Sequence, residues 1–260
     1  MKRKQSRVYR GPSQPPTPSR TNNAAPKKKR LLGSGSPKGD VIRVGIWDLG
    51  AWIGYLDEIL LRWNNSQKMF RFESVYLSVP VQLTRGGART EQVGNEYDIA
   101  PKLRHVLIDN LLIESVAAIS EKVRSGSSYD QLVSITPLML AFIEGGKLHY
   151  NYYSTSQAGS IFVSAYGVEG YAKRAKRPYE AAIAALILGQ LLADKSDVIE
   201  FHEETRGCLF DFNEDRDTLV RMLRKMTIEP SCLEKIPDGL RRAGEQMLKV
   251  IAEYRRPSKK

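Results

Sequence analysis

Residues 181–193 read AAIAALILGQLLA, a run whose only polar side chain is Gln190. Apolar positions cover the whole circumference of a helix with this sequence, which predicts a helix buried on all sides rather than an amphipathic surface helix. Pro178 stands at its first turn, where a missing backbone N–H does no harm. The rest of the chain supplies material to pack around it. Residues 41–47 (VIRVGIW) form a short β-branched run and predict a buried strand. Residues 53–63 carry apolar side chains at helical spacing. Residues 70–83 alternate as a second strand or hairpin, which Pro80 confines to an edge or a bulge. A helix over 109–123 places Leu112, Val116, Ile119 and Val123 on one face, and 130–140 reads as one central strand. A further strand begins at 151–153, and another spans 160–166. Helices over 215–225 and 238–254 close the series, the last with Leu240, Met247, Leu248 and Ile251 inward. This order predicts an α/β (α+β) fold, one mixed-sheet domain around a central buried helix.

Charge separates the ends of the chain from that body. The net charge is +11, but residues 1–40 alone hold eleven Lys or Arg and one Asp. They also hold six prolines and little to bury, so 1–39 is expected to be a disordered basic tail. The folded domain is expected over 40–256, with a basic C-terminal end at 257–260. Lys27, Lys28, Lys29 and Arg30 form a compact block suited to nucleic acid, another polyanion or an acidic partner. No apolar run reaches the roughly 18 uncharged residues of a membrane span, and the N-terminus lacks the apolar segment of a signal peptide. Two cysteines 24 positions apart make no disulfide framework. A cytoplasmic setting is expected, or nuclear import through the Lys/Arg block in a eukaryotic host.

Candidate chemistry gathers between 198 and 232. There lie His202, one of three histidines, and both cysteines, Cys208 and Cys232. His202 and Cys208 are spaced for a thiol–imidazole dyad, although Cys208 sits among Leu209, Phe210 and Phe212 as a buried structural cysteine would. The surrounding carboxylates, Glu200, Glu203, Glu204, Asp211, Glu214 and Asp215, face Arg206, Arg216 and Arg221 and read as a salt-bridged rim. His105 and His149 fall in no metal-ligand spacing. The glycine-rich stretch 84–99 fits neither a phosphate loop nor a dinucleotide turn and reads as a connection.

Several of these segments together resemble archaemetzincins, a family of zinc-dependent peptidase-like proteins. Residues 133–138 (VSITPL) are similar to one strand of that family and 162–166 (FVSAY) to another. His202 stands six residues before Cys208, as the family's third histidine stands before its second cysteine. The resemblance implies a zincin-like fold. It also implies which groups are missing: the helix over 181–193 carries no histidine or glutamate, Glu203 stands in place of a cysteine, and Phe210 in place of a methionine. His202, Cys208, Cys232 and Gln190 are then what remains of a degenerate site, with no catalytic residue and no metal ligand assigned. No cofactor is expected, apart from a structural zinc if a fourth ligand such as Glu203 or Asp211 joins. The expected function is non-catalytic binding of a protein or peptide partner, with the basic tail attaching to polyanions. The alternative is a peptidase-like hydrolase using His202 with Cys208 or a nearby carboxylate.

Overall fold

The computed structural model describes residues 41–84, 110–144, 147–157, 159–196, 199–213 and 215–256. Lys27–Arg30, the 84–99 connection beyond Thr84, and His105 lie outside the described residues. Strand β1 (Ile42–Asp48) leads through helix α1 (Leu56–Ser66) to β2 (Phe70–Ser74), which pairs parallel with β1. The turn after β1 is fixed by Asp48, whose carboxylate accepts the amides of Gly50, Ala51 and Ile53. The join between α1 and β2 is held by Gln67, which accepts from Met69 and Phe70 and donates to Trp63 and Phe70 carbonyls. Of the second strand or hairpin expected over 70–83, the strand forms but ends at Ser74, and Val81–Thr84 makes a short helical turn, α2.

After β3 (Asn110–Leu112) and helix α3 (Ile113–Ser125), strand β4 (Gln131–Thr136) enters the centre of the main sheet. All six of its residues are buried, as a strand covered on both faces requires. The sequence pattern read 130–140 as one strand, but the chain makes two. Pro137 has no N–H for a ladder, so β4 stops at Thr136 and β5 (Met139–Glu144) starts in a different sheet. That second sheet has the order β3-β5-β6, with β6 at Lys147–Tyr152. The main sheet has the order β2-β1-β4-β8-β7, with β7 at Ser154–Gln157 and β8 at Ser160–Ser164. Its strands are parallel except β7, which pairs antiparallel to β8 on the edge.

Helix α4 (Val168–Ala175) precedes α5 (Tyr179–Ser196), the long helix, which is buried all round as its pattern predicted. A 3₁₀ turn at Arg216–Thr218 and α6 (Leu219–Lys225) occupy the stretch expected as one helix. Helix α7 (Pro230–Leu233) and α8 (Asp238–Glu253) finish the domain. Side chains alternate across the sheet. Val44, Ile46, Val133, Ile135, Ile161 and Val163 pack with α1, α5 and α8. Trp47, Leu132 and Phe162 point the other way, to Val116 of α3. The architecture is therefore mixed α/β, with helices on both faces of a mostly parallel sheet.

Candidate metal centre

Two loops meet beside α5. The first, 199–213, folds back on itself: His202 donates its amide to Phe210 (2.7 Å) and accepts from Phe212 (2.8 Å). Gly207 allows the turn within it, at φ +84°. The second is 226–233, drawn in by the Leu209 amide donating to Thr227 (2.8 Å). Cys208 pairs with Thr227 as an isolated bridge, and the Glu229 amide donates to Cys208 Sγ at 3.4 Å. These bonds place Cys232, on α7, over the imidazole of His202. Both cysteines are free and buried.

A ring nitrogen of His202 and the two Sγ atoms of Cys208 and Cys232 all lie within 4.8 Å of one another. His202 Nε2 is 3.0 Å from Cys232 Sγ. The thiol at the imidazole is thus Cys232, thirty positions away in sequence, and not Cys208, which the spacing offered as the alternative to a buried structural cysteine. Burial and the neighbouring Cys208 push the Cys232 thiol up to about 11, the reverse of an activated nucleophile.

Asp211 completes the group from behind the imidazole, rather than as a rim carboxylate or a fourth ligand. It is 3% exposed. Its Oδ2 accepts the amides of Arg206 (3.0 Å), Gly207 (2.5 Å) and Cys208 (3.1 Å). Its Oδ1 has no hydrogen bond and faces His202 Nδ1, equally unbonded, at 3.5 Å. The sequence signal was local: a glycine turn, RGCLFD, whose terminal aspartate closes back on three preceding amides. Of the outer carboxylates, Glu204 pairs with Arg206 at 3.6 Å, which also reaches Glu229 at 3.5 Å. Glu203 is exposed and Asp211 is spent on the loop, so neither is the fourth ligand expected of them. Gln190 is not in the group; its amide reaches Ser156 of β7 at 3.4 Å. His149 lies on β6, paired in register with Phe142.

Helix α5 forms the wall behind the first loop. A Cβ on Gly189 would stand 3.0 Å from the Leu209 carbonyl oxygen and 3.3 Å from its Cγ, so the loop rests on helix backbone.

The donor set fits a thiophilic divalent ion. Two thiolates and one imidazole nitrogen are zinc ligands, and a carboxylate on the far imidazole nitrogen is their usual support. The expectation that the chain takes no cofactor is therefore corrected: three ligand atoms from two chain segments converge in the arrangement a metal uses. Local spacing could not show it, because Cys208 and Cys232 are brought together by the Leu209–Thr227 bond.

No family model matches the chain, and no curated protein does. Among solved structures it is similar to archaemetzincin from Methanopyrus kandleri, at 12% identity and TM-score 0.47, over 82% of this chain and 99% of that one. It is also similar to a zinc-dependent peptidase from Methanocorpusculum labreanum, at 10% identity and TM-score 0.46, over 75% of this chain and 100% of that one. Archaemetzincin from Archaeoglobus fulgidus, solved with malonate, gives 12% identity and TM-score 0.42, over 75% and 100%.

Proposed function

We propose that this chain is a metal-binding protein in which zinc, held by His202, Cys208 and Cys232, clips the 199–213 loop to the 226–233 segment, and that it acts by binding a partner rather than by cleaving peptides. The observation that carries the reading is the convergence of three buried or half-buried ligand atoms within 4.8 Å. A bound zinc would supply positive charge to two coordinated thiolates and cross-link the loops. Against peptide hydrolysis stands the lack, among the described residues, of a general base beside an open position. Asp211 has Oδ2 on three loop amides and Oδ1 facing Nδ1, away from the sulfurs, and the sequence has no HExxH. Partner binding is supported by Trp52 and Tyr76, 88% and 86% exposed beyond the carboxyl ends of the adjacent strands β1 and β2. Attachment of the Lys27–Arg30 block to a polyanion is part of the same proposal.

Elemental analysis and zinc titration of the purified full chain test the metal. One equivalent of zinc is expected, with Tm raised on binding and both effects lost in Cys208→Ser and Cys232→Ser. Absence of stoichiometric zinc from a folded chain would refute the site.

A second reading has one specific observation in its favour. Asp211, His202 and Cys232 lie in the order of a carboxylate–imidazole–thiol hydrolase, with Nε2 3.0 Å from Sγ. Cys232 is only 3% exposed and its thiol is held neutral, which disfavours attack on a substrate. Rapid alkylation of Cys232 by iodoacetamide in the folded chain, with peptide hydrolysis lost in His202→Ala, would favour this reading.

A further inference from the structure

Asp211 is a buried carboxylate with one oxygen fully used and the other unbonded and aimed at a histidine. Oδ2 takes three loop amides. Oδ1 is left with no hydrogen bond, 3.5 Å from an Nδ1 that also has none. Across the same ring, Nε2 sits 3.0 Å from Cys232 Sγ. Tetrahedral zinc with a nitrogen and a sulfur ligand sets those two atoms about 3.5 Å apart, from its usual bond lengths. An N–H···O bond wants about 2.9 Å. The contact on the thiol side is therefore too short for a metal by about half an ångström, and the contact on the carboxylate side is too long for a hydrogen bond by about the same amount. The two nitrogens lie on opposite sides of one rigid ring. Sliding the ring toward Asp211 corrects both misfits at once.

Resting on the metal-binding reading above, we infer that Asp211 is a positioning residue: it keeps the His202 proton on Nδ1, leaves Nε2 free to ligate, and receives the imidazole when a metal ion enters between Nε2 and the two sulfurs. The only other carboxylate facing this nitrogen among the described residues is Glu229, 3.9 Å away and engaged with Arg206 at 3.5 Å. It is 29% exposed at the side chain, whereas that of Asp211 is fully enclosed. Three backbone donors on Oδ2 also fix which way an amide would point if Asp211 became asparagine. Its oxygen would stay on the loop amides, and its NH2 would face the ring. That donor turns Nδ1 into an acceptor and moves the proton to Nε2, where it blocks the ligand position.

The test uses the full chain, cobalt(II) as the probe ion, and two readouts. Long-range ¹H–¹⁵N spectra of the metal-free protein, with His202 assigned through His202→Ala, report which nitrogen holds the proton. The wild type is expected to show it on Nδ1, and Asp211→Asn on Nε2. Cobalt titration, followed by the thiolate charge-transfer band, is expected to show binding weakened about 10- to 100-fold in Asp211→Asn, the usual effect of losing such a support. Glu229→Gln should leave both readouts unchanged. A wild-type proton on Nε2, or Asp211→Asn binding cobalt as tightly as wild type, overturns the role of Asp211. If wild type gives no charge-transfer band, the metal-binding reading fails instead, and the imidazole spectra still decide the tautomer. Should Asp211→Asn not fold, a wild-type proton on Nδ1 that stays there in Glu229→Gln supports the role of Asp211, and a proton on Nε2, or one that moves in Glu229→Gln, overturns it.

Discussion

Removal of the Arg256 guanidinium should unmask a buried charge. Glu180, in the first turn of α5, has no accessible side-chain surface, and it accepts from Arg256 Nε at 3.1 Å and Nη2 at 2.6 Å. Arg256→Met keeps the aliphatic stem and deletes this bidentate pair. Breaking a buried ion pair on one side costs about 3–5 kcal/mol. Arg256 is itself half exposed, at 51%, so water reaches the carboxylate once the guanidinium has gone, and about 2–3 kcal/mol is expected. Glu180→Gln together with Arg256→Met should recover part of the loss, because the charge that needed pairing is absent. The dependence on pH has a definite sign. Burial acts to raise the Glu180 pKa, but the Arg256 hydrogen bonds and charge outweigh it and hold the carboxyl below its ordinary value. The folded state thus gains stability from Glu180 above the ordinary carboxylate range, and that contribution is lost as pH falls through the lowered value. In Arg256→Met, burial of Glu180 is opposed only by a backbone hydrogen bond and by Tyr254, so the gap between variant and wild type should be widest near neutral pH and narrow in acid. Urea unfolding followed by circular dichroism at several pH values measures all of this. A loss under about 1 kcal/mol near neutral pH, or a double variant no more stable than Arg256→Met, would refute the argument.

Two further outcomes can be checked. Leu188→Asp buries a charge on α5 at a position with no exposure and should cost several kcal/mol, whereas Leu61→Asp, at a position 59% exposed, should change urea stability by less than about 0.5 kcal/mol; near-native stability of Leu188→Asp would place the helix at the periphery. Binding of a DNA duplex to the full chain should fall by orders of magnitude between about 50 and 200 mM salt and vanish when residues 1–38 are deleted; binding that survives the deletion would show that the tail is not the element responsible.

Those parts of the fold that depend on one continuous stretch of sequence were legible in it. Helix α5 announced its burial through a run with no polar face, and α8 announced its inward side by placing Leu240, Met247, Leu248 and Ile251 at helical spacing. The second sheet was not legible, because the apolar run through 130–140 gives no sign of changing partners. Only Pro137 marks the place, and the switch is completed by Ser164 donating to the Leu138 carbonyl at 2.8 Å. Arg256, the last residue of the expected domain, carries no sign in the sequence that it is the counter-charge of a core helix. At the site, proximity in sequence misled. Cys208 was the natural partner of His202, yet a backbone bond from Leu209 to Thr227 brings Cys232 to the imidazole. Asp211 carries the same charge as its exposed neighbours, and the glycine turn it closes is the one local sign that sets it apart.

Gly189 gives the core a direct mechanical hold on the metal centre. With the Leu209 carbonyl 3.0 Å and its Cγ 3.3 Å from where a Cβ would stand, residue 209 bears directly on the backbone of α5. The helix is a bench, and Cys208, one residue before Leu209, is clamped to it. A methyl group at 189 would act as a shim, lifting the loop by a few tenths of an ångström, a displacement that matters to bonds of about 2.3 Å between zinc and sulfur. The tolerance of the coordination sphere is thereby set from the interior of the protein, by an atom that is missing.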